Sequence, residues 1–162
     1  MSLLPAMTRR MRILGIGAVV LVLVAVGAVV FAFPRGSGLI IPANTCASPP
    51  PLATSEGVTL QPVAMTAFKQ AQHDAGARIR IDASYRSCDA QAEACRNICG
   101  DPHGCPDLCA RPGTSYHQLG AAVDLSQASL ANSRIVSALE DNGWCQPLPV
   151  TDAGHFSFGG CH

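Results

Sequence analysis

The sequence SYHQLGAAVDL at residues 115–125 sets His117 and Asp124 seven positions apart, and DAGHFSF at 152–158 supplies a second histidine, His155, three residues after Asp152. Two neutral imidazoles and one carboxylate are a sufficient ligand set for a catalytic Zn²⁺, with a fourth position left open. A zinc hydrolase also needs a carboxylate that is not a ligand, to take a proton from water and pass it to the leaving amine. His117, Asp124 and His155 are thus candidate ligands, and Asp152 is the candidate base. Spacing alone does not decide this. A single histidine in a glycine-rich loop is ordinarily a loop residue, and either aspartate could simply cap a turn.

These side chains need elements to position them. Residues 121–125 read as a buried strand. Residues 144–148 and 155–158 read as two short strands joined by a turn. Residues 78–84 alternate polar and apolar, which predicts another strand. Val63, Ala64, Ala67, Phe68 and Ala71 recur at helical spacing over 62–75, and Gly76 is a good stop. Ser129 or Asn132 can cap a helix running to Asp141, with Gly143 ending it. The order implies an α+β domain, with helices packed on a small antiparallel sheet. Trp144, Phe156 and Phe158 are expected in its core. His73 and His103 read as surface residues. His162 is terminal and meets the metal only if the C-terminus folds back.

All eight cysteines lie after residue 45. An even number in an oxidising compartment reads as disulfides. Cys95–Cys99 and Cys105–Cys109 are two C-x3-C segments separated by GDPHG. If both are short helices, the loop folds them antiparallel and nests Cys99–Cys105 inside Cys95–Cys109. The rival is a four-thiolate zinc site, but such sites usually use tighter C-x2-C knuckles.

Residues 13–33 are an unbroken apolar run of 21 residues. At about 1.5 Å per residue they span about 31 Å, close to the hydrocarbon thickness of a bilayer. Arg9, Arg10 and Arg12 precede the run, an arrangement that keeps the N-terminus cytoplasmic. The competing reading, a cleaved signal peptide, fits less well: the run exceeds the usual signal core and no clean cleavage site follows. The expected plan is a basic cytoplasmic tail (1–12), a single-pass signal anchor (13–33), a Pro/Gly/Ser-rich linker (34–61) and an extracytoplasmic domain (62–162). Residues 36–162 carry seven basic and eleven acidic side chains, a net charge of −4. With one Trp and no basic cluster, that domain does not suit nucleic acid. It is expected to act as a monomer.

SYRS at 84–87 with Gln91, then S-x-H-x-x-G-x-A-x-D at 115–124, then D-x-x-H-F at 152–156 occur in that order. Together they resemble the VanY-type D-alanyl-D-alanine carboxypeptidases, in the zinc peptidase group shared with lysostaphin and the hedgehog signalling domain. The resemblance covers about residues 60–160, and its ten-residue central motif is highly specific. It implies a hedgehog/D-Ala-D-Ala-peptidase-like fold carrying the cysteine hairpin as an insert. It implies zinc on His117, Asp124 and His155, with Asp152 as base. Arg86 would meet the oxyanion, and Ser115 and Gln91, together with Arg86, would contact substrate. Two positions depart from the pattern. Asp152 stands where these carboxypeptidases usually have Glu, as in L-Ala-D-Glu peptidoglycan endopeptidases. Gly154 stands where Trp usually precedes the second zinc histidine.

The expectation is a membrane-anchored zinc peptidase of peptidoglycan stem peptides, most simply a D,D-carboxypeptidase. The alternatives are an L-Ala-D-Glu endopeptidase, a non-catalytic wall-peptide binding module, and a disulfide-stapled interaction domain. Metal content and turnover separate them.

Overall fold

The computed structural model describes residues 39–40, 42–105 and 108–160. The expected basic tail, the apolar run at 13–33 and His162 lie outside the described residues. Among the described residues, no helix is long and apolar enough to cross a membrane.

The chain opens with a hairpin of β1 (Ala53–Ser55) and β2 (Val58–Leu60), turned by Glu56 and Gly57 at φ 52° and 82°. Two positive-φ residues match the turn to the twist of the strands. Next come α1 (Pro62–Ala75), β3 (Ile81–Ala83) and α2 (Cys88–Cys99). Then follow β4 (Ala122–Leu125), α3 (Gln127–Leu130), α4 (Ser133–Asp141), β5 (Trp144–Cys145) and β6 (His155–Phe158). Strands β3, β4, β6 and β5, in that order, form one antiparallel sheet. The expected α+β class holds.

α1 starts on Pro62, where a missing N–H costs nothing, and stops at Gly76 in the left-handed conformation. Its buried face is Ala64, Met65, Ala67, Phe68, Ala71 and Ala75. Small alanines let the helix sit close, and Phe68 fills the gap. The Phe68 ring stands edge-on to Trp144 at 6.1 Å, and Trp144 lies 5.5 Å from Phe158. Leu139 and Ile135 of α4 complete this core. Asn142, at the end of α4, donates to Asp74 of α1 at 2.9 Å and ties the two helices. Trp144, Phe156 and Phe158 are core residues, as expected.

Several elements differ from the sequence reading. The strand expected over 78–84 is only Ile81–Ala83. Upstream, the backbone donors go to side chains: Ile79 N–H to Gln72 Oε1 at 3.0 Å and Arg80 N–H to Ser129 Oγ at 2.7 Å. Ser129 is therefore not the cap of α4. Asn132 is, accepting from Arg134 N–H at 3.1 Å. The strand expected over 144–148 ends at Cys145, ahead of Pro147 and Pro149, which cannot donate to a ladder. The ends of the second cysteine segment are not helical. Cys105 and Cys109 exchange backbone hydrogen bonds as an isolated antiparallel bridge. The hairpin β1–β2 lies within the stretch read as linker, with Val58 and Leu60 in the core.

The cysteine pairing is the nested one. Cys95 bonds Cys109, Cys99 bonds Cys105, and a third bridge joins Cys46 to Cys88. The four-thiolate zinc reading falls, since those sulfurs are oxidised. The Cys46–Cys88 bridge spans 42 residues, which corresponds to about 4 kcal/mol of loop-closure entropy removed from the unfolded chain. It ties residues ahead of the hairpin to the start of α2.

Phe68 is 1% exposed. Phe68→Ala is expected to cost about 3–5 kcal/mol, measured by urea unfolding under oxidising conditions. A loss under about 1 kcal/mol would show that α1 is not the core's main support.

Candidate metal centre

The register of β4 against β6 sets Asp124 directly opposite His155. Their side chains meet, with His155 Nδ1 3.0 Å from Asp124 Oδ1. His117 reaches the same oxygen from a tight turn ahead of β4, its Nε2 at 3.2 Å. That turn is held by Gln118 N–H and Leu119 N–H donating to Ser115 O, and by Gly120 N–H donating to His117 O. Gly120 has φ +64°, and a Cβ there would meet Gln61 N at 2.9 Å. Only glycine makes this turn against β2. The ligand atoms of His117, Asp124 and His155 all lie within 4.8 Å of one another.

Two contacts outside the trio fix the rings. Ser84 O is 2.6 Å from His117 Nδ1. A carbonyl only accepts, so Nδ1 carries the proton and Nε2 turns its other face to Asp124. Ser84 is itself held: Ser84 Oγ accepts from Thr59 N–H at 3.1 Å, and Arg86 N–H donates to His117 O at 3.2 Å. On the second histidine, Nε2 lies 3.0 Å from Ser157 Oγ. Partners of this kind orient metal-binding imidazoles and raise their basicity.

This arrangement fits a metal. With Nδ1–H committed to Ser84, His117 Nε2 in its neutral form presents a lone pair to a carboxylate oxygen. Either a second ring proton or a cation must lie between them. Ligands on a tetrahedral zinc with bonds of about 2.0–2.1 Å stand roughly 3.3 Å apart, close to the 3.0 and 3.2 Å seen here. Burial by itself would raise the pKa of Asp124. The hydrogen bonds and charge of His117 and His155 outweigh it and hold the carboxyl well below the usual carboxylate range.

The trio lies in a cleft of about 690 Å³, which Arg86, Ser115 and Asp152 also line. Asp152 is exposed, in a turn closed by Asp152 N–H donating to Leu148 O and His155 N–H to Asp152 O. Arg86 Nη2 is 3.7 Å from Asp124 Oδ2. Ser115 is 5% exposed, and its hydroxyl accepts from His117 N–H. Gln91 is 2% exposed, its amide engaged by Arg86 and by Ala110 O. His73 and His103 are exposed as expected, although His103 also borders the cleft. The sequence reading missed the supporting roles of the Ser84 carbonyl and Ser157. Ser157 had a legible signal, since residues two apart on a strand share a face.

His117→Ala and His155→Ala should each abolish stoichiometric zinc. Ser157→Ala should weaken it about 10- to 100-fold, read by competition with a chromogenic chelator. Unchanged affinity in all three would place the metal elsewhere.

Comparison with known proteins gives a family and similar folds. The family model described as VanY, D-alanyl-D-alanine carboxypeptidase, matches residues 59–158. Among solved structures, a vancomycin-resistance D,D-pentapeptidase VanY variant from a VanB-type cassette, in complex with Zn(II), matches with a TM-score of 0.51 at 19% identity. That match covers 71% of this chain and 82% of the other. VanYB in complex with D-alanine-D-alanine matches at TM-score 0.48 and 19% identity, over 69% and 78% of the two chains. No curated protein sequence matches. The His/Asp/His centre is that of a zinc-dependent hydrolase, and the chain that carries it belongs to the VanY D-alanyl-D-alanine carboxypeptidase family.

Proposed function

We propose that this protein removes the terminal D-alanine from peptidoglycan stem peptides, outside a membrane in which residues 13–33 anchor it. The observation that carries the reading is one cleft holding the His117/Asp124/His155 trio together with Asp152 and Arg86. Zinc bound by the trio supplies a Lewis acid and a more acidic water. The chain's own groups do the rest. Asp152, exposed at the cleft, accepts a proton from the attacking water and returns it to the departing amine. Arg86 donates to the scissile carbonyl oxygen as negative charge grows there. Ser115 holds the backbone of His117 and so keeps the cleft wall in shape. The membrane placement is supported by the apolar run at 13–33, by the arginines before it, and by disulfides that suit an oxidising compartment.

One observation favours a second substrate bond. Asp152 is shorter than the glutamate usual at this position, and aspartate there resembles the L-Ala-D-Glu endopeptidases of the same group. The reaction would be the same hydrolysis, at a different amide.

Asp152→Asn should keep zinc and the fold while losing nearly all release of D-Ala from a stem pentapeptide. Arg86→Ala should keep zinc and lose about 10²–10³ in rate. Loss of zinc in Asp152→Asn would make Asp152 a ligand. Cleavage confined to the L-Ala-D-Glu bond would move the assignment to the endopeptidase.

A further inference from the structure

Gln91 does not present its amide freely to the cleft. Its Oε1 accepts from Arg86 Nη1 at 3.0 Å, and its Nε2 donates to Ala110 O at 2.9 Å. The same Nε2 lies 3.4 Å from Cys109 Sγ and 3.7 Å from Cys95 Sγ. Gln91 and Cys95 are one helical turn apart on α2, so they share a face. Cys109 and Ala110 belong to the return arm of the cysteine insert. The Cys95–Cys109 bridge fastens that arm to α2 at the level of Gln91, while Cys99–Cys105 closes the far end. Gln91 is 2% exposed and Cys95 fully buried, so this junction is packed.

We propose that Gln91 is a positioning residue for Arg86, and that the Cys95–Cys109 disulfide sets the position of Gln91. The argument rests on the peptidase reading, in which Arg86 meets the oxyanion. Arginine has a long, many-rotamer side chain, and a donor aids catalysis only where its geometry is fixed beforehand. Among the described residues, the Arg86 side chain has two polar partners. Asp124 attracts it as an ion pair at 3.7 Å, and Gln91 holds it by a hydrogen bond from the opposite partner set. Without Gln91, the ion pair with Asp124 is the restraint left on the guanidinium among the described residues. Without the Cys95–Cys109 bridge, the return arm and Ala110 O are released from α2, and Gln91 loses the acceptor that orients it. The insert is then more than a brace: one of its two disulfides bears on the reaction and the other does not.

The test uses the full chain with zinc bound. Gln91→Leu should keep zinc and a cooperative melt. Its kcat for D-Ala release should fall about 10- to 100-fold, with KM within about threefold. The Cys95→Ala/Cys109→Ala double variant should show the same split. Cys99→Ala/Cys105→Ala should stay within about twofold of wild type. In an Arg86→Ala background, Gln91→Leu should cost no further rate, because Gln91 acts only through Arg86. A raised KM, or an undiminished effect of Gln91→Leu in that background, would overturn the proposal and make Gln91 a substrate ligand. A second readout is independent of turnover: the ¹⁵N resonance of the Arg86 guanidinium. It should be sharp in wild type and in Cys99→Ala/Cys105→Ala, and broadened in Gln91→Leu and Cys95→Ala/Cys109→Ala. Equal sharpness in all four would overturn the positioning role. No turnover of any wall peptide by wild type would overturn the peptidase reading instead, and the resonance would still decide the positioning.

Discussion

The Asp124 carboxylate is the group on which the other parts converge. It is half-buried in the middle of a sheet whose strands are two to four residues long, with an imidazole on either side. Antiparallel pairing of β4 with β6 alone brings His155 to it, since directly opposed residues place their Cβ atoms about 4.5–5.5 Å apart. His117 must instead be carried there by a turn that only Gly120 permits. Ser84, at the exit of β3, then fixes the ring of His117 through a backbone carbonyl. Half-burial of a carboxylate is costly unless it is compensated, and the two imidazoles supply that compensation here.

Two of the disulfides each lie against a buried glutamine. Gln118, next to His117, sits beneath the Cys46–Cys88 sulfurs while its Oε1 accepts from Gly113 N–H at 2.7 Å. Gln91 has the same relation to Cys95–Cys109. The bridges thus stiffen the two segments that enclose the metal trio, in addition to constraining the unfolded chain.

Much of this was legible in the residues. Donor chemistry and spacing made the trio and Asp152 candidates, the resemblance of the surrounding motifs singled them out, and α1 followed from its apolar period, its Pro62 start and its Gly76 stop. The nested cysteine pairs followed from two equal spacings about a turn, even though the ends of the second arm pair as a bridge and are not helical. The hairpin at 53–60 was hidden because its turn uses Glu56, a residue seldom found at positive φ, inside a proline-rich stretch. The truncation of the strand at 78–84 was hidden for another reason. Its period-2 pattern is real, but its backbone donors are taken by Gln72 and Ser129 from distant positions. Gln91 shows the same limit at the site. Its place in the motif was readable, but its partners come from an insert whose path no local pattern gives.

The central claim is that one zinc ion sits among His117, Asp124 and His155 while the cysteines remain oxidised. X-ray absorption at the zinc edge of the full chain tests it directly. The account predicts a shell of nitrogen and oxygen at about 2.0–2.1 Å with two imidazoles and no sulfur. A sulfur shell at about 2.3 Å would put the metal on the cysteines and contradict it.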